Sequence, residues 1–268
     1  VRRKQLNSLQ GRQEIRQSTQ QNNRDHRKIL VIDGKVAFTG GINLADEYMN
    51  IVERFGYWKD TGVMLKGDAV RSFTLLFLQM WNVTEKNIEG YSRYLNIAIP
   101  TPETAEGYVM GYGDDPYGKE RVGESVYLHM INTSTKYLHI VSPYLVIDNV
   151  MMSSLKFAAK RGVDVKIIMP GIPDKEYAYC LARTDYAKMF ISDDEKATVG
   201  TINRDYRSLF LHFEDGCFIY KNKVINRIEE DYQKMLSASK RVSLMDCRNR
   251  PTYYKICGML LRLLAPLM

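Results

Sequence analysis

The chain has 268 residues, 45% of them hydrophobic and 26% charged, with a formal net charge of +7 at pH 7. That length buries a sizeable core and suits one pseudo-symmetric domain of two lobes better than two independent domains. No run of about 18 apolar residues spans a membrane, no signal peptide is visible at Val1, and Cys180, Cys217, Cys247 and Cys257 lack metal-site spacing and fit a reduced cytoplasmic chain.

The charge is uneven. Residues 1–28 hold eight Lys/Arg against two acids and residues 240–268 six against one, so these ends carry +11 and the middle −4. A basic surface suits an anionic partner, nucleic acid or acidic lipid. In chain order, residues 1–21 read as a polar basic arm, and Ile29–Ile32 and Val36–Phe38 as two strands joined at Asp33-Gly34, a pair that tolerates the positive φ of a tight hairpin. A loop or short helix over 47–58, a strand at 61–65 and a helix at 69–82 follow, the last with apolar residues placed for burial. Prolines and glycines from Pro100 to Gly118 mark a connection that includes a short strand at 108–112. Beyond it, a helix at 125–132, a strand at 137–146, a helix at 149–160 and a strand at 163–169 alternate, a pattern that implies parallel pairing with helices on both faces. A helix at 174–186 then runs into a strand at 188–191 with no turn residue between.

The segment from His26 to Asn43 is dense with chemistry. Side chains two apart on a strand share a face, so His26 and Lys28 converge on one anion while Arg27 points away. Gly40, Gly41 and Asn43 follow where the chain leaves the second strand, offering backbone N–H groups and an amide donor. The outline recurs at an offset of 160 residues, where Lys28, Asp33, Gly40, Gly41 and Asn43 answer to Lys188, Asp193, Gly200, Thr201 and Asn203. A second stretch recurs at an offset of 155, Asp60–Val70 against Asp215–Ile225. The chain is a duplicated α/β unit. One position departs from the pattern, since Tyr186 stands where a second histidine would fall. Asp33 and Asp193 lie on the opposite strand parity from His26, which favours a turn-forming role over contact with substrate.

This pattern, H-x-K-x4-D-x6-G-[GTS]-x-N present twice, resembles the phospholipase D superfamily. The segment from Glu53 to Asn82, SPYLVID, VGTINRDYRSLFLHFE and the terminal LLAPLM are similar to its cardiolipin synthase branch, over roughly Asn22 to Met268. The resemblance implies an α/β fold of two pseudo-symmetric lobes with mixed, mostly parallel sheets flanked by helices. The first lobe is placed at 1–97, the connection at 98–124, the second lobe at 125–250 and a basic amphipathic helix at 251–268. It also implies catalytic His26, Lys28, Asp33, Lys188 and Asp193, with phosphate held by Asn43, Asn203, Gly41 and Thr201. The implied reaction moves a phosphatidyl group from one phosphatidylglycerol through a phosphohistidine on His26 to a second, releasing glycerol, with a second histidine moving the proton. That scheme needs no cofactor and no metal.

An acid holding the other imidazole nitrogen fixes the tautomer, and Glu53 and Glu214 stand at fitting spacings after Asn43 and Asn203. His129, His139 and His212 sit in apolar runs and read as packed histidines. In the last stretch, Ile256, Leu260, Leu263 and Leu264 form one stripe beside Lys255 and Arg262, suited equally to core packing or to an anionic membrane interface. Expected partners are phosphatidylglycerol and an anionic membrane surface, with no nucleic acid, at the cytoplasmic side of a bacterial cell membrane. The rivals are a phospholipase D or nuclease of the same superfamily and a non-catalytic anionic-lipid binding protein. The second lobe has about 60 residues of strand and helix before its motif and the first about 25. With the abrupt junction before Lys188, this reads as residues of the full polypeptide absent ahead of both motifs.

Overall fold

The computed structural model describes residues 24–54, 56–84, 90–99, 105–142, 148–170, 188–203, 208–209, 211–243 and 245–246. The basic arm, the expected helix at 174–186 with Tyr186, and the C-terminal stretch 251–268 lie outside the described residues.

The first hairpin forms as its sequence dictates. Strands β1 (Leu30–Ile32) and β2 (Val36–Gly40) pair antiparallel around Asp33 and Gly34, both at positive φ, and β3 (Gly62–Lys66) closes a three-stranded sheet on β2. Helix α1 (Ala69–Thr84) follows, burying Val70, Phe73, Thr74 and Leu78 at helical spacing, and a four-residue helix α2 (Ser92–Leu95) comes after it.

The second sheet has six strands: β4 (Tyr108–Asp114), β5 (Tyr137–Val141), β6 (Asp164–Ile168), β7 (Met189–Ser192), β8 (Lys196–Gly200) and β9 (Glu214–Tyr220), in the order β4-β9-β8-β7-β5-β6. Its helices are α3 (Val122–Thr133), α4 (Asn149–Lys160) and α5 (Val224–Ser237). The Asp114 carboxylate at the end of β4 accepts from Val122 N and Gly123 N and so starts α3, and the Asp148 carboxylate accepts from Met151 N and starts α4. The sheet is mixed, but the expectation of mostly parallel pairing is corrected. Only β5 and β6 run parallel, joined by the α4 crossover, and the other four pairs are antiparallel. The cause is connectivity, because β7 and β8 form a tight hairpin and β4 returns along β9, whereas parallel pairing needs a crossover. Residues 108–114 of the connecting segment are thereby an edge strand of the second sheet.

The duplication is visible in the pairing. Leu30 faces Phe38 as Phe190 faces Thr198, and Gly40 faces Gly62 as Gly200 faces Gly216. That register slides the third strand by one residue relative to the sequence match. Glu214, not Asp215, answers to Asp60, and the odd residue is absorbed in the turn before α5. The backbone agrees, since Gly41 N donates to Thr61 O and Thr201 N to Asp215 O.

One core joins the two copies. Ala37, Leu65, Val70 and Phe73 pack in one cluster with Met189, Ile191, Val199, Cys217 and Ile219 of the large sheet and with Ile225, Ile228 and Tyr232 of α5. The opposite face of that sheet, with Leu138, Ile140 and Phe190, is covered by Tyr127 and Met130 of α3 and by Met151 and Leu155 of α4. Among the described residues no helix is long and apolar enough to cross a membrane.

A Cβ on Gly200 would sit 2.4 Å from the Asp215 backbone oxygen, as one on Gly40 would sit 2.3 Å from that of Thr61. Gly200→Ala is therefore expected to cost about 1–3 kcal/mol. Gly90→Ala, where nothing lies within 4 Å, is expected to stay within about 0.5 kcal/mol. Urea unfolding of the two variants beside the parent checks the contrast.

Candidate active site

The chain entering β1 is tied to the start of β9. Phe213 N donates to Arg24 O at 3.0 Å and His26 N to Phe213 O at 2.9 Å, which lays residues 24–28 alongside residues 213–215. That places His26 against Glu214, with Nδ1 3.0 Å from Oε1 and 2.9 Å from Oε2. The carboxylate is fully buried and the imidazole about a quarter exposed. An imidazole held at Nδ1 by an anion leaves Nε2 as the free nucleophilic nitrogen. Thr201 Oγ1 also donates to Glu214. Burial pushes the Glu214 carboxyl up, but the interactions with His212, His26 and Lys188 outweigh it and hold it at about 2. His26 lies below its ordinary 6.5, because desolvation exceeds what Glu214 returns and Lys188 and Lys28 repel its charged form.

The two motif lysines meet here from different copies. Lys28 donates from Nζ to His26 O at 2.8 Å, and burial together with the like charge of Lys188 lowers it to about 8. Lys188, 7% exposed, acts on His26, Lys28, Glu214 and Asp60. As strand parity requires, Arg27 points elsewhere, to Asp25, to Leu76 O and over the Phe213 ring. Beneath the cluster Asp215 accepts from Lys28 N at 3.1 Å and from Thr39 Oγ1, and burial raises it to about 6.

The structure brings together His26, Lys28, Lys188, Thr201 and Glu214. Gly41 lies beside Asp60, whose Oδ1 would be 2.3 Å from a Cβ there. Asn43 and Asn203 are half-buried, and Asn203 Oδ1 is buried with no hydrogen-bond partner among the described residues. Asp33 and Asp193 do not join the cluster. Asp33 is exposed in its turn, while Asp193 accepts from Thr135 N, Lys136 N and Tyr137 N at 2.7–2.9 Å and so fixes the entry to β5. Both hold positive φ at the hairpin tips, the turn-forming role that their parity implies.

The first-lobe acid is corrected. Glu53 is exposed on a loop, and the residue in the position of Glu214 is Asp60, half-buried, with its carboxyl raised by desolvation against the hydrogen bond from Thr61 N. The sequence match had aligned Asp60 with Asp215, and only the paired glycines reveal the one-residue slip. His212 was read as a packed histidine, yet its Nδ1 lies 3.7 Å from Glu214 Oε1 and its ring centroid 6.0 Å from that of His26. The signal was its place two residues before Glu214, on the bend that leads into β9. Lys255, Ile256, Leu260, Arg262, Leu263 and Leu264 lie outside the described residues.

A duplicated hairpin-and-strand unit thus brings a His-x-Lys from one copy to a buried glutamate and a lysine of the other. Among solved structures, a phosphatidylserine synthase of Haemophilus influenzae shares this fold with a TM-score of 0.62 at 14% identity, over 91% of this chain and 69% of that one. Residues 127–236 match the family model described as cardiolipin synthase, PLD-like domain. A Streptococcus mutans protein named as uncharacterized is 48% identical over 94% of this chain and 58% of its own length. Cardiolipin synthases of Alkalihalophilus pseudofirmus and Halalkalibacterium halodurans are 33% and 34% identical, each over 92% of this chain and 53% of its own length. The chain thus spans a little over half the length of the curated relatives it matches.

Thr201→Val removes the hydroxyl that faces the buried Glu214 carboxylate and is expected to cost about 1–3 kcal/mol, most of it restored in Thr201→Ser. The deficit should depend on pH with a definite sign. Glu214 is held below its ordinary 4.5, so its contribution is present above that value and lost as pH falls toward about 2. Thermal melts between pH 7 and pH 3 should therefore show the gap between parent and variant narrowing toward the acid end.

Proposed function

We propose that this chain is the catalytic portion of a cardiolipin synthase-like phosphatidyltransferase, which joins two phosphatidylglycerol molecules into cardiolipin and glycerol. The observation that carries it is the His26–Glu214 pair, an imidazole of one copy held by a buried carboxylate of the other, with Lys28 and Lys188 beside it. On this reading the neutral His26 attacks the phosphorus through Nε2, the P–O bond to the departing glycerol breaks, and a phosphohistidine forms. Glu214 holds the Nδ1 proton and balances the charge that the ring acquires. Lys28, Lys188, Asn43 and Asn203 hold the non-bridging oxygens, where charge builds in the transition state. A second phosphatidylglycerol hydroxyl then takes the phosphatidyl group, and His26 returns to its starting state. Proton transfer to the first alcohol and from the second is assigned to an acid–base group on the far side of the phosphate, outside the described residues.

The surface around the phosphate site favours a lipid over a nucleic acid. Ile42, Leu44, Met49, Ile51, Val52 and Tyr57 are all exposed on the loop that carries Gly41 and Asn43, Leu44 at 88% and Tyr57 at 75%. Apolar side chains at the mouth of a phosphodiester site suit acyl chains and an interface, whereas a nucleic acid groove would present cations there.

Vesicles of phosphatidylglycerol should yield cardiolipin and glycerol in equal amounts. Phosphatidic acid as the main product would assign a phospholipase, cleavage of plasmid DNA without lipid turnover a nuclease, and vesicle binding without turnover a lipid-binding protein. His26→Ala is expected to lose at least ~10²- to 10⁴-fold in rate. The kcat/KM profile should fall on the acid side below pH 6.5 as His26 gains a proton. Lys28 is charged below about 8, so its hold on phosphate is present there and lost above, and Lys28→Arg should move that alkaline limb upward. For the loop, Leu44→Ser with Ile51→Ser should lower turnover on vesicles about tenfold or more while sparing a short-chain soluble substrate, since each apolar side chain withdrawn from an interface forfeits about 1.5–3 kcal/mol. Equal losses on both substrates would assign the loop to the fold.

A further inference from the structure

Glu214 faces two imidazoles. His26 approaches from the chain leading into β1, and His212 lies on the turn before β9, its Nδ1 3.7 Å from Oε1 and its ring tilted 44° to that of His26. Both ring nitrogens of His212 are buried and, among the described residues, neither has a hydrogen-bond partner. That burial keeps His212 from touching a substrate, so any part it plays runs through the carboxylate. The duplicated architecture gives an independent pointer. In the first lobe the same position, two before the acid, is Trp58, buried beside Asp60, whose ring carries an N–H donor that cannot titrate near neutral pH. A ring N–H two residues ahead of the acid is thus built into both copies.

We propose that His212 is a positioning residue for His26: by sharing Glu214 it keeps that carboxylate from holding His26 as the imidazolium, so the nucleophilic ring stays neutral. The proposal rests on the reading of His26 as the nucleophile. The physical argument is competition for one anion. A buried carboxylate raises the pKa of an imidazole that it faces alone, and a second ring whose Nδ1 stands 3.7 Å from one of its oxygens weakens that pull. The other charges around Glu214 do not substitute. Lys28 and Lys188 repel the His26 imidazolium, and Asp215 and Asp114 are acidic neighbours of Glu214 that offer it no donor. With His212 gone, His26 would share the carboxylate with the Thr201 hydroxyl alone, and would take up a proton at a higher pH.

The chain has four histidines, so its ring resonances are few enough to follow singly by NMR, with His26 identified from its loss in His26→Gln. In His212→Ala the His26 titration midpoint is expected to rise by about half a unit. In His212→Asn, which places an amide N–H near the site of Nδ1, it should return close to that of the parent. The acid limb of kcat/KM should move with the midpoint in each variant. His212→Phe, which keeps the ring volume without a donor, stands in for His212→Ala should the alanine variant unfold. An unchanged His26 midpoint in a folded variant overturns the proposal. So does a His212→Asn midpoint as high as that of His212→Ala, which assigns the effect to lost volume, and so does a loss of rate at every pH with the limbs in place. Because the NMR titration needs no turnover, a moved midpoint in a protein without transferase activity would sink the transfer reading and leave the His212 assignment standing.

Discussion

The structure depends on one buried carboxylate that the chain has no cheap way to leave unpaired. Glu214 sits at the first residue of β9 with no solvent exposure, and it stays ionised because His26, Thr201 and the Lys188 charge surround it. An ionised group in such a place costs several kcal/mol unless its partners are in position. Those partners come from three separate segments: the strand leading into β1, the end of β8, and the start of β7. Docking of the two copies and assembly of the site are therefore the same event.

The shared core reinforces this constraint. Ala37 of β2 and Val199 and Cys217 of β8 and β9 lie in one apolar cluster, so the small first sheet has no hydrophobic face that it could bury alone. Across the seam Thr39 donates to Asp215, and Asp215 accepts from Lys28 N, polar ties that fix the rotation of one copy against the other. Asp215 is raised to about 6 by its burial, so at neutral pH it is ionised only at some expense, a common trait of groups beside a reacting centre.

Local chemistry made much of this legible in the sequence. The hairpin tips followed from Asp33-Gly34 and from the Asp193 copy, the helix expected at 149–160 is α4 with those bounds, and the placing of His26 with Lys28 followed from side-chain parity. The 160-residue repeat carried the pairing of lobes with no structural input. What local chemistry could not supply was pairing direction and register. Alternating helices and strands suggested parallel neighbours, but β4, β7, β8 and β9 find antiparallel partners through contacts distant in sequence. The slip that makes Glu214, not Asp215, the counterpart of Asp60 is one residue wide, and Glu53 lies seven residues before Asp60. On a strand one residue exchanges the two faces, so spacing counted from Asn43 could not find the acid that points inward. His212 was missed for a related reason: in an apolar run it looked like packing, and only the fold shows that the packing is against Glu214.

The two halves of the site are built to one plan and filled unequally. In the second lobe a glutamate is met by the Thr201 hydroxyl and by two imidazoles. In the first, Gly41 replaces the threonine and the shorter Asp60 occupies the space, near enough that any side chain at 41 would collide with Oδ1. The ring beside it is an indole, and among the described residues no imidazole forms an ion pair with it. With fewer donors, desolvation prevails and the Asp60 carboxyl is raised where that of Glu214 is depressed. One carboxyl is thus depressed and faces the nucleophilic ring, while the other is raised and feels the charges of Lys188 and Lys28. On the proposed reading this inequality sets the two halves apart: covalent chemistry belongs to the side where the imidazole is held by Glu214.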